Sequence, residues 1–267
     1  EESSDRAFEE EVMLSGFANA QVKGEGSGVS FDEAQETFTA RYTHETVALA
    51  FAITEEAIED NLYDRLASRY TKALARSMSN AKQVKAVEPL IQGLPSTDGF
   101  DSGDGVSLFN TSHPTVAGTF QNTLTTQADL NETSLEQSLI DIGQMTDERG
   151  LRVAARGVKM IIPSELQFTA ERLMKSQGRT GTADNDINAI VSMGMIPQGY
   201  RVNNYLTDTD AFYILTDIPN GMKMFNRAPL TTAMEGDFDT GNVRYKARER
   251  YSFGVSDPRG IFGVEGA

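Results

Sequence analysis

Two histidines, three groups of closely spaced aspartates and a set of alternating glycines are the residues in this 267-residue chain whose types and spacing suit chemistry. Ser112 and His113 pair a hydroxyl with a base. Adjacent residues on extended chain point to opposite faces, however, Pro114 pushes His113 toward that extended geometry, and no motif places an orienting carboxylate. His44 lies in an alternating stretch and likewise carries no catalytic assignment. Asp98, Asp101 and Asp104 recur every third residue in a Gly-rich loop, an arrangement that can collect oxygen ligands for Ca²⁺, but they lack the spacing and terminal Glu of an EF-hand loop. Asx-turn chemistry accounts for them, and for Asp184-Asn185-Asp186 and Asp208-Thr209-Asp210. Gly24, Gly26 and Gly28 have no preceding apolar strand and no Gly-Lys-Ser/Thr ending, so they read as a surface tip rather than a phosphate loop. The expectation is no catalytic residue, no metal site and no cofactor. A metal-dependent hydrolase built on the Asp clusters stands as a remote alternative from another class.

A different kind of chemistry lies near the C-terminus, where residues 236 to 263 read GDFDTGNVRYKARERYSFGVSDPRGIFG. A period of two places Val243, Tyr245, Ala247, Tyr251, Phe253 and Val255 on one strand face and Arg244, Lys246, Arg248 and Arg250 on the other. A strand apolar on one side and cationic on the other suggests a surface that meets an acidic partner. The chain itself carries 24 Lys and Arg against 39 Asp and Glu, a net charge of −15, so the simplest such partner is another copy. Glu9, Glu10 and Glu11, in an acidic N-terminal segment, are the candidate carboxylates. A solvated face with scattered charges is the plainer alternative.

The same acidity disfavours extensive binding to nucleic acid or to an anionic membrane, which needs clustered Lys and Arg. Cysteine is absent, which excludes disulfides, thiolate metal sites and a Cys nucleophile. The longest apolar run, Val47 to Ile53, is far too short to span a bilayer, and no signal segment opens the chain, so it is expected to be soluble and intracellular. Glu1 rather than Met stands first, as cleavage of a leader or scaffold segment, or a sequence begun part-way, would leave it.

These residues must be positioned by elements whose signals run along the chain. Residues 1 to 18 read as an extended or partly helical arm that needs a neighbour to order it. Alternation at Phe38, Ala40 and Tyr42 changes phase to Val47, Leu49, Phe51 and Ile53, predicting a bulge or bend at 43 to 46. Thr54 caps a helix with Glu55 and Glu56 in its first turn. Its apolar stripe, Ile58, Leu62, Leu66, Tyr70, Leu74 and Met78, runs to about Asn80, with Lys72, Arg76 and Lys82 toward the C-terminal end. Thr133 with Glu136 predicts a second capped helix carrying Leu135, Leu139, Ile142 and Met145. Val158 to Ile162 is a strand closed by Pro163, and Ser164 with Gln167 opens a third helix. A short helix near Ile187 to Met193 and strands near Tyr200 to Leu206 and Phe212 to Thr216 complete an α+β pattern.

The basic strand and three upstream segments, SLFNTSHPTVAG (107 to 118), DERGLRVAARGVKMIIPSELQFTAERLMKS (147 to 176) and GTADNDINAI (181 to 190), together resemble the major capsid protein of tailed bacteriophages, in its Mu-like head-subunit branch. The resemblance runs in order from about residue 30 to the C-terminus and lies in the combination of segments. It implies an α+β fold of the Hong Kong 97 type: an N-terminal arm at 1–18, an extended loop at 19–50, a peripheral domain with a spine helix at 51–119, an axial domain at 120–230, and a return to the peripheral domain at 231–267. It implies a structural, non-enzymatic protein that assembles with itself as pentamers and hexamers around phage DNA, without sequence-specific DNA binding. Portal, scaffold and decoration proteins are the further partners it suggests. The implied location is the virion capsid, assembled in the host cytoplasm. An encapsulin-like compartment shell is the nearest alternative.

Overall fold

The computed structural model describes residues 1–60, 63–97, 99–178 and 186–267. Leu62, Asp98, Asp184 and Asn185, and the side chain of Leu66, lie outside the described residues. In chain order the elements are β1 (Glu2–Ser3), β2 (Phe8–Leu14), β3 (Glu36–Thr43), β4 (Glu45–Ile53), α1 (Glu55–Glu59), α2 (Tyr63–Gln92), β5 (His113–Thr115), β6 (Gly118–Phe120), α3 (Glu132–Gln144), β7 (Gly157–Ile162), α4 (Gln167–Lys175), α5 (Ala189–Met193), β8 (Tyr200–Val202), β9 (Phe212–Thr216), β10 (Met222–Gly236), β11 (Val243–Val255) and β12 (Ile261–Val264). Helices and strands are interleaved in the α+β class expected.

Several local signals are realised as read. The phase switch falls at His44, which separates β3 from β4. Thr54 caps a helix as read, its Oγ1 accepting from the Ala57 N–H at 3.4 Å, but that helix is the five-residue α1, and the stripe residues Tyr70, Leu74 and Met78 belong to the separate α2. Others need correction. The long helix does not stop near Asn80: α2 is 30 residues, roughly 45 Å, and contains Pro89. Its stripe continues from Leu74 and Met78 through Lys82 and Ala86 to Leu90, with Leu74, Met78 and Leu90 buried. Lys82 fills a stripe position because its stem packs while its ammonium sits 5.1 Å over the Tyr251 ring, so a residue that resembled a helix end lies mid-helix. The cap of α3 is Asn131, not Thr133. Its Oδ1 accepts from Ser134 N at 2.9 Å and Ser134 Oγ accepts from Asn131 N at 3.0 Å, a capping box built from the stronger N-cap residue. Ser164 does not cap α4, because its hydroxyl donates to Glu165 Oε2 at 2.9 Å; the cap position is Leu166, with no side-chain bond.

The chain divides into two compact units. The first comprises Glu1–Glu9, Tyr42–Glu88 and Lys223–Gly254. Its sheet has the order β1-β10-β11-β4, with β11 antiparallel to β4 and β1 parallel to β10 through Glu2↔Phe225 and Ser3↔Asn226. On one face Val47, Phe51 and Ala247 pack against Leu74 and Met78 of α2. Phe51 stacks on Tyr245 at 4.9 Å and meets Tyr70 edge-on at 5.6 Å. Tyr42 meets Phe225 edge-on at 4.8 Å, and its ring lies so close to β11 that a Cβ at Gly254 would sit 2.7 Å from it.

The second unit comprises Glu10–Arg41, Pro89–Met222 and Val255–Ala267. Its sheet runs β12-β9-β7-β8, with β7 parallel to β8 and antiparallel to β9. Met160, Ile162, Phe212 and Ile214 of this sheet bury against Leu135, Leu139 and Ile142 of α3 and Ala170 and Leu173 of α4. Among the described residues, two buried polar clusters lie in this unit. Arg259 donates to Glu148 at 2.6 Å and to Asp257 at 3.2 Å, and its guanidinium covers the Phe120 ring at 4.2 Å. His113 lies between Asp104 and Asn122.

Candidate subunit-contact surface

The register of β11 against β4 sets Arg244, Lys246, Arg248 and Arg250 opposite Ala52, Ala50, Ala48 and Thr46. Residues directly opposite on antiparallel strands share a face, so the side turned away from α2 is a row of cations beside a row of small side chains. Arg244, Lys246 and Arg248 are exposed, as are the three alanines. The sequence reading of this alternation holds, with one residue it passed over. Glu249 sits on the apolar face, buried, with its Oε2 3.5 Å from Lys82 Nζ.

The four basic residues are not equivalent. Arg244 pairs with Asp237 across the β10–β11 turn. That turn closes through Gly241, whose φ of +67° and N–H bond to Asp237 O at 2.9 Å require glycine geometry. Thr231 Oγ1 donates to the Arg248 carbonyl at 3.2 Å, fastening β10 to β11 and leaving the Arg248 guanidinium outward. Among the described residues, Lys246 and Arg248 make no ion pair. Arg250 leaves the row: it is half-buried, and its Nε is buried without a hydrogen-bond partner among the described residues.

The acidic arm is a strand rather than a helix over Phe8–Leu14, and each of its candidate carboxylates has an in-chain partner. Glu9 accepts from Ser4 Oγ at 2.7 Å, Glu10 lies 3.8 Å from Arg41, and Glu11 accepts from the Ser256 hydroxyl. Along β2, Glu9, Glu11 and Met13 are half-buried while Glu10, Val12 and Leu14 are exposed. Asp32 accepts from Ala18 N at 2.7 Å; that bond, with the Glu33 N–H and the Arg149 charge, holds its carboxyl below the usual value against desolvation.

Among the described residues, Asp101 and Asp208 do turn chemistry. Asp101 Oδ1 accepts from Gly103 N at 2.6 Å and Gly105 N at 3.2 Å, and Asp208 Oδ1 from Asp210 N at 3.3 Å and Ala211 N at 3.4 Å. The described residues hold no group of three or more His, Asp or Glu placed to bind a metal. Asp104 does more than turn the chain, since its Oδ2 lies 2.6 Å from His113 Nδ1. An orienting carboxylate therefore exists, but His113 Nε2 meets Asn122 Oδ1 at 2.9 Å rather than Ser112, and the ring is fully buried. His44 sits between two hydroxyls, Ser4 Oγ at 2.8 Å from Nε2 and Ser252 Oγ at 3.0 Å from Nδ1. No spacing signal announces that contact, because the three residues are joined only by strand pairing.

The surface is thus a charged strand face on a sheet-and-helix layer, and the profile of the phage capsid protein family matches residues 36–264. The chain belongs to the phage capsid protein family. Solved structures similar to this capsid protein include the capsid of Myoviridae phage XM1, 12% identical over 100% of this chain and 89% of that one, with a TM-score of 0.58. The capsid of the native GTA particle is 14% identical over 99% of this chain and 86% of that one, with a TM-score of 0.58. The virus-like particle from Pyrococcus furiosus is 13% identical over 98% of this chain and 88% of that one, with a TM-score of 0.51. No curated protein matches the sequence. At these identities the structural likeness is one of fold, and the capsid protein has the Hong Kong 97-type fold that its sequence segments implied. The capsid role expected from the sequence holds with it. No described helix of the capsid protein is long and apolar enough to cross a membrane.

Proposed function

We propose that this capsid protein is a tailed-phage head subunit of the Mu-like branch that assembles as pentamers and hexamers into an icosahedral shell around DNA. Assembly would take place in the host cytoplasm, and portal, scaffold or decoration proteins would join the shell. The family match over residues 36–264 carries this reading. The division proposed for the subunit remains an arm at 1–18, an extended loop at 19–50, peripheral segments at 51–119 and 231–267, and an axial segment at 120–230. Its work is mechanical rather than enzymatic. A net charge of −15 suits a wall against which packaged DNA slides without adhering. The exposed row of Arg244, Lys246 and Arg248 is the proposed meeting face for carboxylates of neighbouring copies, with the arm acids Glu9, Glu10 and Glu11 as candidates if assembly exchanges their in-chain partners.

Sedimentation and electron microscopy of the purified protein across salt and concentration test the assembly. Closed particles are expected, and a persistent monomer with no particles defeats the proposal. The particles' contents separate a head from a compartment shell: packaged DNA supports the head, and enclosed protein cargo without DNA supports the encapsulin-like alternative.

A further inference from the structure

Asn220 is the one asparagine of the chain that precedes glycine, and the second unit sets the pair in the turn that follows β9. Pro219 and Asn220 are its central residues. Asn220 has a φ of +63°, the left-handed second position of a type II turn, which asparagine tolerates better than most residues. Two backbone bonds clamp this turn: Asn220 O accepts from Asp257 N at 2.8 Å and Gly221 O from Ser256 N at 3.2 Å. Gly221 also lies against Gly260, where a Cβ on Gly260 would stand 2.3 Å from the Gly221 Cα and one on Gly221 would stand 3.0 Å from the Gly260 Cα. The fold therefore demands glycine after Asn220. The Asn220 side chain is exposed, with no hydrogen-bond partner among the described residues.

We propose that Asn220 is a self-modifying site, converted to aspartate and isoaspartate through a cyclic imide formed with the Gly221 nitrogen. Hydroxide takes the Gly221 N–H proton, a bond forms from that nitrogen to Asn220 Cγ, the Cγ–Nδ2 bond breaks, and Nδ2 leaves as ammonia. Water then opens the ring. Cleavage of the Cγ–N bond leaves aspartate, and cleavage of the backbone C–N bond leaves isoaspartate, with the main chain running through the former side chain. Glycine at 221 favours the attack because no side chain shields the nitrogen.

The clamp sets the rate. At the ψ of ~0° of a type II turn the Gly221 nitrogen is turned away from Cγ, so the Asn220–Gly221 peptide must swing round before the ring closes. That swing takes the Asn220 carbonyl away from Asp257 N–H, and conversion proceeds through local openings of the turn. Isoaspartate adds one carbon to the main chain before Gly221 and a carboxylate beside Asp257. Asp257 is the residue that receives Arg259 at 3.2 Å, so the product loosens the seat of that pair irreversibly.

Peptide mapping by mass spectrometry of the purified full chain, aged in mildly alkaline buffer, tests the site. Asn220 should convert faster than any other asparagine, to both products, and faster as pH rises. Unfolding in urea should raise the rate about tenfold or more by removing the clamp. Gly260→Ala, whose methyl presses on the Gly221 Cα, should raise it in the folded chain. The wild-type melting temperature should fall as isoaspartate accumulates, whereas that of Asn220→Gly, which keeps the left-handed backbone and lacks the amide, should not change on ageing. Conversion at Asn220 no faster than at the other asparagines overturns the site. Equal folded and unfolded rates overturn the clamp, and a melt unchanged after conversion overturns the loosening. If Gly260→Ala does not fold, the comparison of folded and unfolded wild type decides the clamp alone.

Discussion

Glu249 and Lys82 meet in the layer between β11 and α2, Oε2 to Nζ 3.5 Å, with the glutamate side chain 6% exposed and the lysine 33%. The pair occupies the one position where a charged residue interrupts the apolar face of β11 and the one where a charged residue interrupts the stripe of α2. Each charge is tolerated in the layer because the other is there.

Removing one member should therefore cost more than removing both. Lys82→Ala leaves Glu249 uncompensated, and a loss of about 1–3 kcal/mol is expected, below the range for fully buried pairs because Lys82 reaches solvent. The double variant Lys82→Leu, Glu249→Val should recover most of that loss. Denaturant melts of the single and double variants check it, and equal losses in both would mean that the pair carries no coupling.

Asp104 and His113 give a prediction in pH. Burial acts to raise the Asp104 pKa, but the hydrogen bond and charge of His113, with the Val106 N–H and the Ser102 hydroxyl, hold the carboxyl below its usual value. A depressed carboxylate contributes stability that is present above the usual Asp range and is lost as pH falls through the folded-state value. Asp104→Asn should thus be less stable than wild type at neutral pH, with the two converging below about pH 4. Urea melts at a series of pH values provide the comparison, and a constant gap would remove Asp104 from the acid limb.

The packing of Tyr42 on β11 is testable with one methyl group. A Cβ at Gly254 would lie 2.7 Å from a rigid ring edge, so Gly254→Ala should destabilise by about 1–3 kcal/mol. Gly236→Ala, where no atom lies within 4 Å, serves as the control and should be close to neutral. Thermal melts of the two variants should differ clearly.

Arg248→Glu tests the contact face. Because Arg248 is exposed and its in-chain bond to Thr231 uses the carbonyl, reversing its charge should leave the subunit's melt unchanged and reduce particle yield, most strongly at low salt. A single exposed pair contributes only about 0–1 kcal/mol, so the effect reaches measurable size by repetition around a closed shell. Equal particle yields at every salt concentration would return the row to a solvated face.

The strand and helix faces were legible wherever burial follows a single period. The β11 alternation, the phase change at His44 and the Leu135, Leu139 and Ile142 stripe of α3 all depend on which way neighbouring Cβ atoms point, a local property of the chain. The length of α2 was not, because Lys82 contributes an apolar stem that its letter hides, and the α3 cap shifted because Asn131 and Ser134 satisfy each other better than Thr133 does.

By itself, then, the sequence determined the α+β class, the two-faced basic strand, the absence of cysteine chemistry and, through four ordered segments, the resemblance to a capsid protein. Tertiary structure decided which charges face solvent and which are held: that Arg250 turns in beside His44 while Arg248 stays outward, that Glu10 finds Arg41, and that Asp104 orients His113 away from Ser112. Those outcomes depend on pairing between residues as far apart as His44 and Ser252. Periodicity reports only on neighbours along the chain, whereas the protonation of a buried imidazole depends on every group the fold brings around it.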